Sequence, residues 1–168
     1  MQQLLTADEV FGIGVEIEKN GYAFYTAAAA GTAGSAIKKL LLELAEWESN
    51  HIEIFTTLRK MLPPESRDAN LFDPADEISL YLKATADDHV FIRNSNMEKL
   101  AASCTTPEEI LSMAMTFEKD SVVFYSSVRE AVSEAEGKSQ IEELIHQELT
   151  HIGFLSRELQ MIKASASG

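Results

Sequence analysis

The chain has 168 residues, 45% of them hydrophobic, and sets 27 Asp and Glu against 14 Lys and Arg, for a net charge of −13. That length suits one domain with its own core, and the acidity repels phosphate backbones and anionic lipid, so neither nucleic acid nor a membrane is an expected partner. The opening MQQLLTADEV lacks a signal-like pattern, no run approaches the ~18 apolar residues of a membrane span, and the lone Cys104 offers no disulfide framework and no CxxC pair, so a reducing cytoplasm is the expected setting.

Apolar residues recur at helical spacing while Pro and Gly are few and clustered, which predicts an all-α chain. The first helix opens at the capping box Thr6-Ala7-Asp8-Glu9 and runs to about Ala30, where GTAGS makes a turn. The second spans about Ala36 to Leu62 and stops at Pro63-Pro64. Residues 63–106 form a long connection with at least one shorter helix, capped by Asp73, with Pro74 in its first turn, and continuing through ADEISLYLKA. The third long helix opens at Thr106 with Pro107 next and Glu109 closing a capping box, and it ends in the low 130s. For the fourth, Ser133–Glu136 and Ser139–Glu142 both read as capping boxes around Gly137. If Glu118 and Glu148 sit level across an antiparallel hairpin, at about 1.5 Å rise per residue, the turn lies near residue 133 and the earlier start is preferred. Two antiparallel hairpins, about 7–62 and 107–162, joined by a crossover that carries a short helix, predict a single four-helix-bundle domain over residues 1–168.

Sliding the chain against itself by 100 residues aligns EKNGYAFY (18–25) with EKDSVVFY (118–125) and ESNHI (48–52) with ELTHI (148–152). Between residues 11–62 and 111–162 there are eleven identities at this one offset, so the chain reads as a duplicated helical hairpin. Glu18, Glu48, His51 and Tyr25, with their mates Glu118, Glu148, His151 and Tyr125, all fall on inward stripes. In the second helix that stripe is Ile37, Leu41, Leu44, Glu48, His51, Phe55, Leu58 and Leu62. Small residues, Gly14 and Gly21 or Ala114 and Ser121, flank Glu18 and Glu118 by a turn and are expected to leave room beside each carboxylate.

Four buried carboxylates would cost several kcal/mol apiece if left ionised and unpaired. Two divalent cations neutralise them, since four Glu give −4 and two neutral His give nothing. An oxygen and imidazole donor set suits iron, or manganese, better than a thiolate-seeking structural zinc, although zinc stays open. Glu and His at i and i+3 aim at one metal from one helix face, and a carboxylate can bridge two. Tyr25 and Tyr125 are placed to hydrogen-bond the ligands.

This pattern resembles the ferritin-like di-iron carboxylate superfamily, and within it the rubrerythrin-like branch, over residues 8–62 and 107–162. The resemblance implies that Glu18 and Glu118 are terminal ligands, Glu48 and Glu148 bridging carboxylates, and His51 and His151 imidazole ligands of two iron ions. It further implies an oxidoreductase that reduces hydrogen peroxide or reacts with dioxygen. The sequence ends at QMIKASASG without a rubredoxin module, so an external electron-transfer protein is expected to supply electrons. Rubrerythrins carry an extra Glu one turn after the third-helix ligand, where this chain has Ser121, with Gly21 as its mate. Ferritin-like iron oxidation and storage, or a metal-binding bundle without turnover, are the alternatives, and a homodimer is the expected assembly.

The remaining candidates read as structural. His89 is expected at the surface, His146 about 200° around its helix from Glu148, and at least one of Met113 and Met115 in the core rather than on a haem. Cys104 reads as an ordinary buried or half-buried thiol, and Trp47, about 100° off the inward stripe, as a residue covering a subunit contact.

Overall fold

The computed structural model describes residues 5–67, 71, 77–89 and 96–166. Its helices are α1 (Ala7–Gly31), α2 (Ser35–Met61), α3 (Pro64–Arg67), α4 (Glu77–Asp88), α5 (Met97–Ser103), α6 (Pro107–Ala131) and α7 (Lys138–Ala166). The four long ones, of 25 to 29 residues, reach about 38 to 44 Å. α1 packs along α2 and α6 along α7, giving the two hairpins, while α5 lies against α1 and α4 against α6.

Local chemistry sets these boundaries. Thr6 and Thr106 each accept a hydrogen bond from the backbone of the glutamate three residues on, which reaches back to the cap, so both capping boxes form. The prolines at 63 and 64 end α2, and Pro64 starts the single turn of α3. At the open end of the first hairpin the guanidinium of Arg59 donates to both carboxylate oxygens of Asp8, at 3.1 and 2.7 Å. Among its described residues the crossover carries α3, α4 and α5, in line with the expectation of at least one shorter helix, and the Asp73 cap with Pro74 lies outside the described residues.

The start of the fourth helix differs from expectation. Ser133 does form its capping box, but on a single 3-10 turn, Glu134–Glu136. Gly137 then takes φ 106°, a left-handed conformation that breaks the helix before α7 begins at Lys138. A Cβ there would also stand 2.3 Å from Leu58 Cδ2 and would push that side chain aside.

The core runs the length of the bundle. Phe11, Phe24, Phe55, Phe117 and Phe124 are buried, and Phe24 meets Phe117 edge-on with centroids 4.7 Å apart. Met113 and Met115 are half-buried against this core and His146 is exposed, as expected. Cys104 is half-buried. Among the described residues no helix is long and apolar enough to cross a membrane.

Candidate metal centre

The inward stripes bring all six predicted ligands to one place. Glu18 comes from α1, Glu48 and His51 from α2, Glu118 from α6, and Glu148 and His151 from α7. None is more than 4% exposed, so water cannot solvate their charges. Two groups form, Glu18, Glu48, His51 and Glu148 in one, and Glu48, Glu118, Glu148 and His151 in the other. Within each group the donor atoms lie within 4.8 Å of one another, and Glu48 and Glu148 belong to both. The carboxylate of Glu148 divides between the halves, with Oε1 3.0 Å from His51 Nδ1 and Oε2 3.0 Å from His151 Nδ1.

The orientation of these atoms fits a cation. His51 Nε2 lies 2.9 Å from Gln147 Oε1, an acceptor only, so Nε2 carries the proton when the ring is neutral and Nδ1 presents a lone pair. That nitrogen faces Glu148 Oε1 at 3.0 Å and oxygens of Glu18 and Glu48 at 3.5 Å. Yet His51 Nδ1 and Glu148 Oε1 are buried without a hydrogen-bond partner among the described residues. Lone pairs converging on a shared space, rather than pairing with donors, are what a positive ion would satisfy. The donor set of oxygens and imidazoles, with no thiolate, suits iron or manganese.

Without a cation the cluster neutralises itself with protons. Burial raises Glu18 well above the usual carboxylate range, with the charge of Glu48 adding to the effect, and burial together with Glu148 does the same to Glu118. Burial alone would lower His51, but Glu18 and Glu148 drive it well up. For His151, burial likewise opposes the charged form, yet hydrogen bonding to Glu118 and Glu148 raises it to about 10. Glu148 stays ionised: burial opposes its charge, and hydrogen bonding with Glu118 and the charge of His51 hold it well below the usual range. Protons on Glu18, Glu118, His51 and His151 thus supply four charges, the same compensation that two divalent ions would provide.

The ligands are braced across the repeat. Tyr25 on α1 donates to Glu118 Oε1 at 2.5 Å, while Tyr125 on α6 donates to Glu18 Oε1. Burial and the charge of Glu118 hold the Tyr25 hydroxyl well above its ordinary range, so it remains a donor. The α2 and α7 helices exchange support in the same way. Gln147 of α7 holds His51, and Trp47 of α2 stacks flat on His151, with centroids 4.6 Å apart and planes 7° apart. Trp47 also stacks on Phe154 at 5.6 Å, and the two histidine rings stack at 5.6 Å.

Two sequence readings need revision, and the service of two further residues to the ligands escaped the sequence. Trp47 and Gln147 occupy equivalent repeat positions about 100° off the inward stripe, and both serve the centre. A wheel drawn for one helix places them outside, whereas α2 and α7 face each other there. Room beside Glu18 is not empty at Gly14, because a Cβ would lie 2.8 Å from the ring of Phe55, which fills the space. His89 is not at the surface: it is 1% exposed, and its Nε2 lies 3.1 Å from Ser121 Oγ. The end of α4 carries it inward, since its backbone N–H still donates to Thr85 and Ala86.

No protein-family model matches the sequence, and no curated protein matches it. The structure is similar to that of a Thermotoga maritima protein solved at 2.30 Å and named as a ferritin-like diiron-carboxylate protein. The two share 22% identity and a TM-score of 0.68, over 95% of this chain and 98% of that one. The chain has the ferritin-like helical-bundle fold.

Proposed function

We propose that the protein binds two iron ions and is an oxidoreductase of the rubrerythrin type, reducing hydrogen peroxide with electrons from a separate donor protein. The observation that carries the two-ion part of this reading is the sharing of Glu48 and Glu148 between two donor groups, with His51 Nδ1 and Glu148 Oε1 buried there without a hydrogen-bond partner among the described residues. The name of the structurally similar Thermotoga protein supports the di-iron part of it.

The iron pair, when bound, would supply two electrons to an O–O bond, and two protons complete its conversion to water. The chain's own residues prepare that chemistry. Glu18, Glu48 and His51 with Glu148 would hold one ion, and Glu118 and His151 with the same shared carboxylates the other. Tyr25 and Tyr125 fix the carboxylates of Glu118 and Glu18, and Gln147 fixes the tautomer and tilt of His51. Phe55 and Phe124 pack against the ring of Tyr125 and Phe24 against that of Tyr25, so buried apolar rings surround the two tyrosines that brace the ligands.

Protein purified without added metal should contain two irons per chain. The reduced form mixed with peroxide in a stopped flow should oxidise faster than free ferrous ion, and Glu48→Ala and His51→Ala should remove that advantage. Absence of metal, or oxidation no faster than free iron, would overturn the reading. Ferritin-like storage would instead show as a native mass far above a dimer or tetramer.

A further inference from the structure

One of the buried positions at which the two repeats differ adds a polar group. Position 21 in the first hairpin is glycine, while its mate, Ser121, carries a hydroxyl that meets a buried imidazole from the crossover. Ser121 lies one turn beyond Glu118 on the inward stripe of α6 and is 6% exposed. His89 holds that hydroxyl at 3.1 Å. It also lines a cavity of about 280 Å³ between α4 and α6, together with Tyr81, Ala84, Thr85, Asp120 and Val123. Tyr81 and Val123 are exposed, so the cavity opens to solvent on the side away from the centre. Solvent, cavity, His89, Ser121 and the turn bearing Glu118 therefore form one continuous sequence, on one side of the bundle.

Resting on the reading of the centre as a di-iron site, we infer that His89 and Ser121 form its polar entrance, through which a small hydrogen-bonding molecule of peroxide size reaches the ion held by Glu118 and His151. An imidazole and a hydroxyl in series offer both a donor and an acceptor to such a molecule, and nothing comparable to an apolar gas. Burial lowers His89 to about 4, against the pull of Glu148, so the ring is neutral at physiological pH and keeps one nitrogen of each kind. The entrance passes a molecule and changes no bond. His89 and Ser121 are positioning residues, acting before the reaction.

Azide, a small hydrogen-bonding anion, probes this route through its charge-transfer absorption on the oxidised iron-loaded protein. His89→Leu keeps the bulk of the ring and loses its hydrogen bonds, Ser121→Ala removes a single oxygen, and His89→Gln retains a donor and an acceptor. Metal content and melting temperature are measured beside each rate. Azide association about tenfold slower in His89→Leu and in Ser121→Ala, at unchanged iron content, with a wild-type-like rate in His89→Gln, supports the entrance. Unchanged or faster association in the first two variants, or a rate in His89→Gln as slow as in His89→Leu, overturns it. If His89→Leu does not fold, Ser121→Ala alone decides. Wild-type protein that takes up no iron brings down the centre, and the entrance with it, before azide is added.

Discussion

The hydroxyl of Tyr25 on α1 bonds Glu118 on α6, and Tyr125 on α6 bonds Glu18 on α1, so each half of the duplicated chain holds the carboxylate of the other. Tyr25→Phe and Tyr125→Phe should each cost the metal-free protein about 1 to 3 kcal/mol, because a buried carboxyl loses its tyrosine donor. Metal affinity should fall about 10- to 100-fold, as it does when hydrogen-bond partners of ligands are removed. Thermal melts and chelator-competition titrations check the two effects.

Shared and unshared carboxylates predict different stoichiometries. Glu18 belongs to one donor group and Glu48 to both. Glu18→Ala should therefore retain one tightly held ion, while Glu48→Ala should weaken both. Native mass spectrometry of manganese- or iron-loaded protein distinguishes them, and equal loss in the two variants would contradict the sharing.

The pH dependence of the metal-free protein follows from the same cluster. His51 is raised well above 6.5, and His151 to about 10, so their contribution to stability is full below 6.5 and is lost as pH rises toward 10. Glu18 and Glu118 are raised above 4.5, so the stability they confer is present below 4.5 and is also lost as pH climbs through their folded values. Glu148 is depressed and acts in the opposite sense, losing its contribution only in acid. Melting temperature of the metal-free protein should therefore fall between pH 6.5 and 10. Metal affinity should rise over the same window, with proton release on binding, because cations displace those protons. Calorimetric titrations in buffers of different ionisation enthalpy count the protons.

Trp47 is the single tryptophan of the chain and lies flat on His151. Cobalt or ferrous ion bound at His151 should quench its fluorescence in step with loading. His151→Ala should abolish that response while leaving any quenching through His51 weak, and an emission spectrum indifferent to metal would contradict the stacking.

Gly14→Ala gains helix propensity of about 1 kcal/mol but drives a methyl group into the ring of Phe55 at 2.8 Å. Phe55 lies 5.1 Å from the ring of Tyr125, so the displacement reaches the brace on Glu18. Net destabilisation of about 1 to 2 kcal/mol is expected in chemical denaturation, accompanied by weaker metal binding.

The six clustered residues were legible because an ionisable side chain on an apolar stripe contrasts with its neighbours, and because a second copy 100 residues away repeats the contrast. Helix ends at Thr6 and Thr106 were legible for a local reason, the capping box. Gln147 and Trp47 were not, since their service depends on how α2 and α7 meet, which one helix's periodicity does not encode. His89 was hidden for a different reason: it has no mate in the repeat, and only the path of the crossover over α6 turns it inward. Gly137 carried a signal for a break, but two candidate capping boxes flank it, and nothing local says that the first closes only a single 3-10 turn.

At the repeat position shared by residues 47 and 147, one imidazole receives a flat π surface and the other a hydrogen-bond acceptor. Two identical hairpins related by a two-fold axis would have to present the same residue twice. Covalent fusion releases that constraint, so each copy can drift to suit a separate task. A ring held by Gln147 becomes a stronger electron donor through its polarised N–H, whereas at the equivalent place the ring of His151 meets the face of Trp47. Two ions in this bundle would accordingly differ in reduction potential, and an electron placed on the pair would have a preferred address.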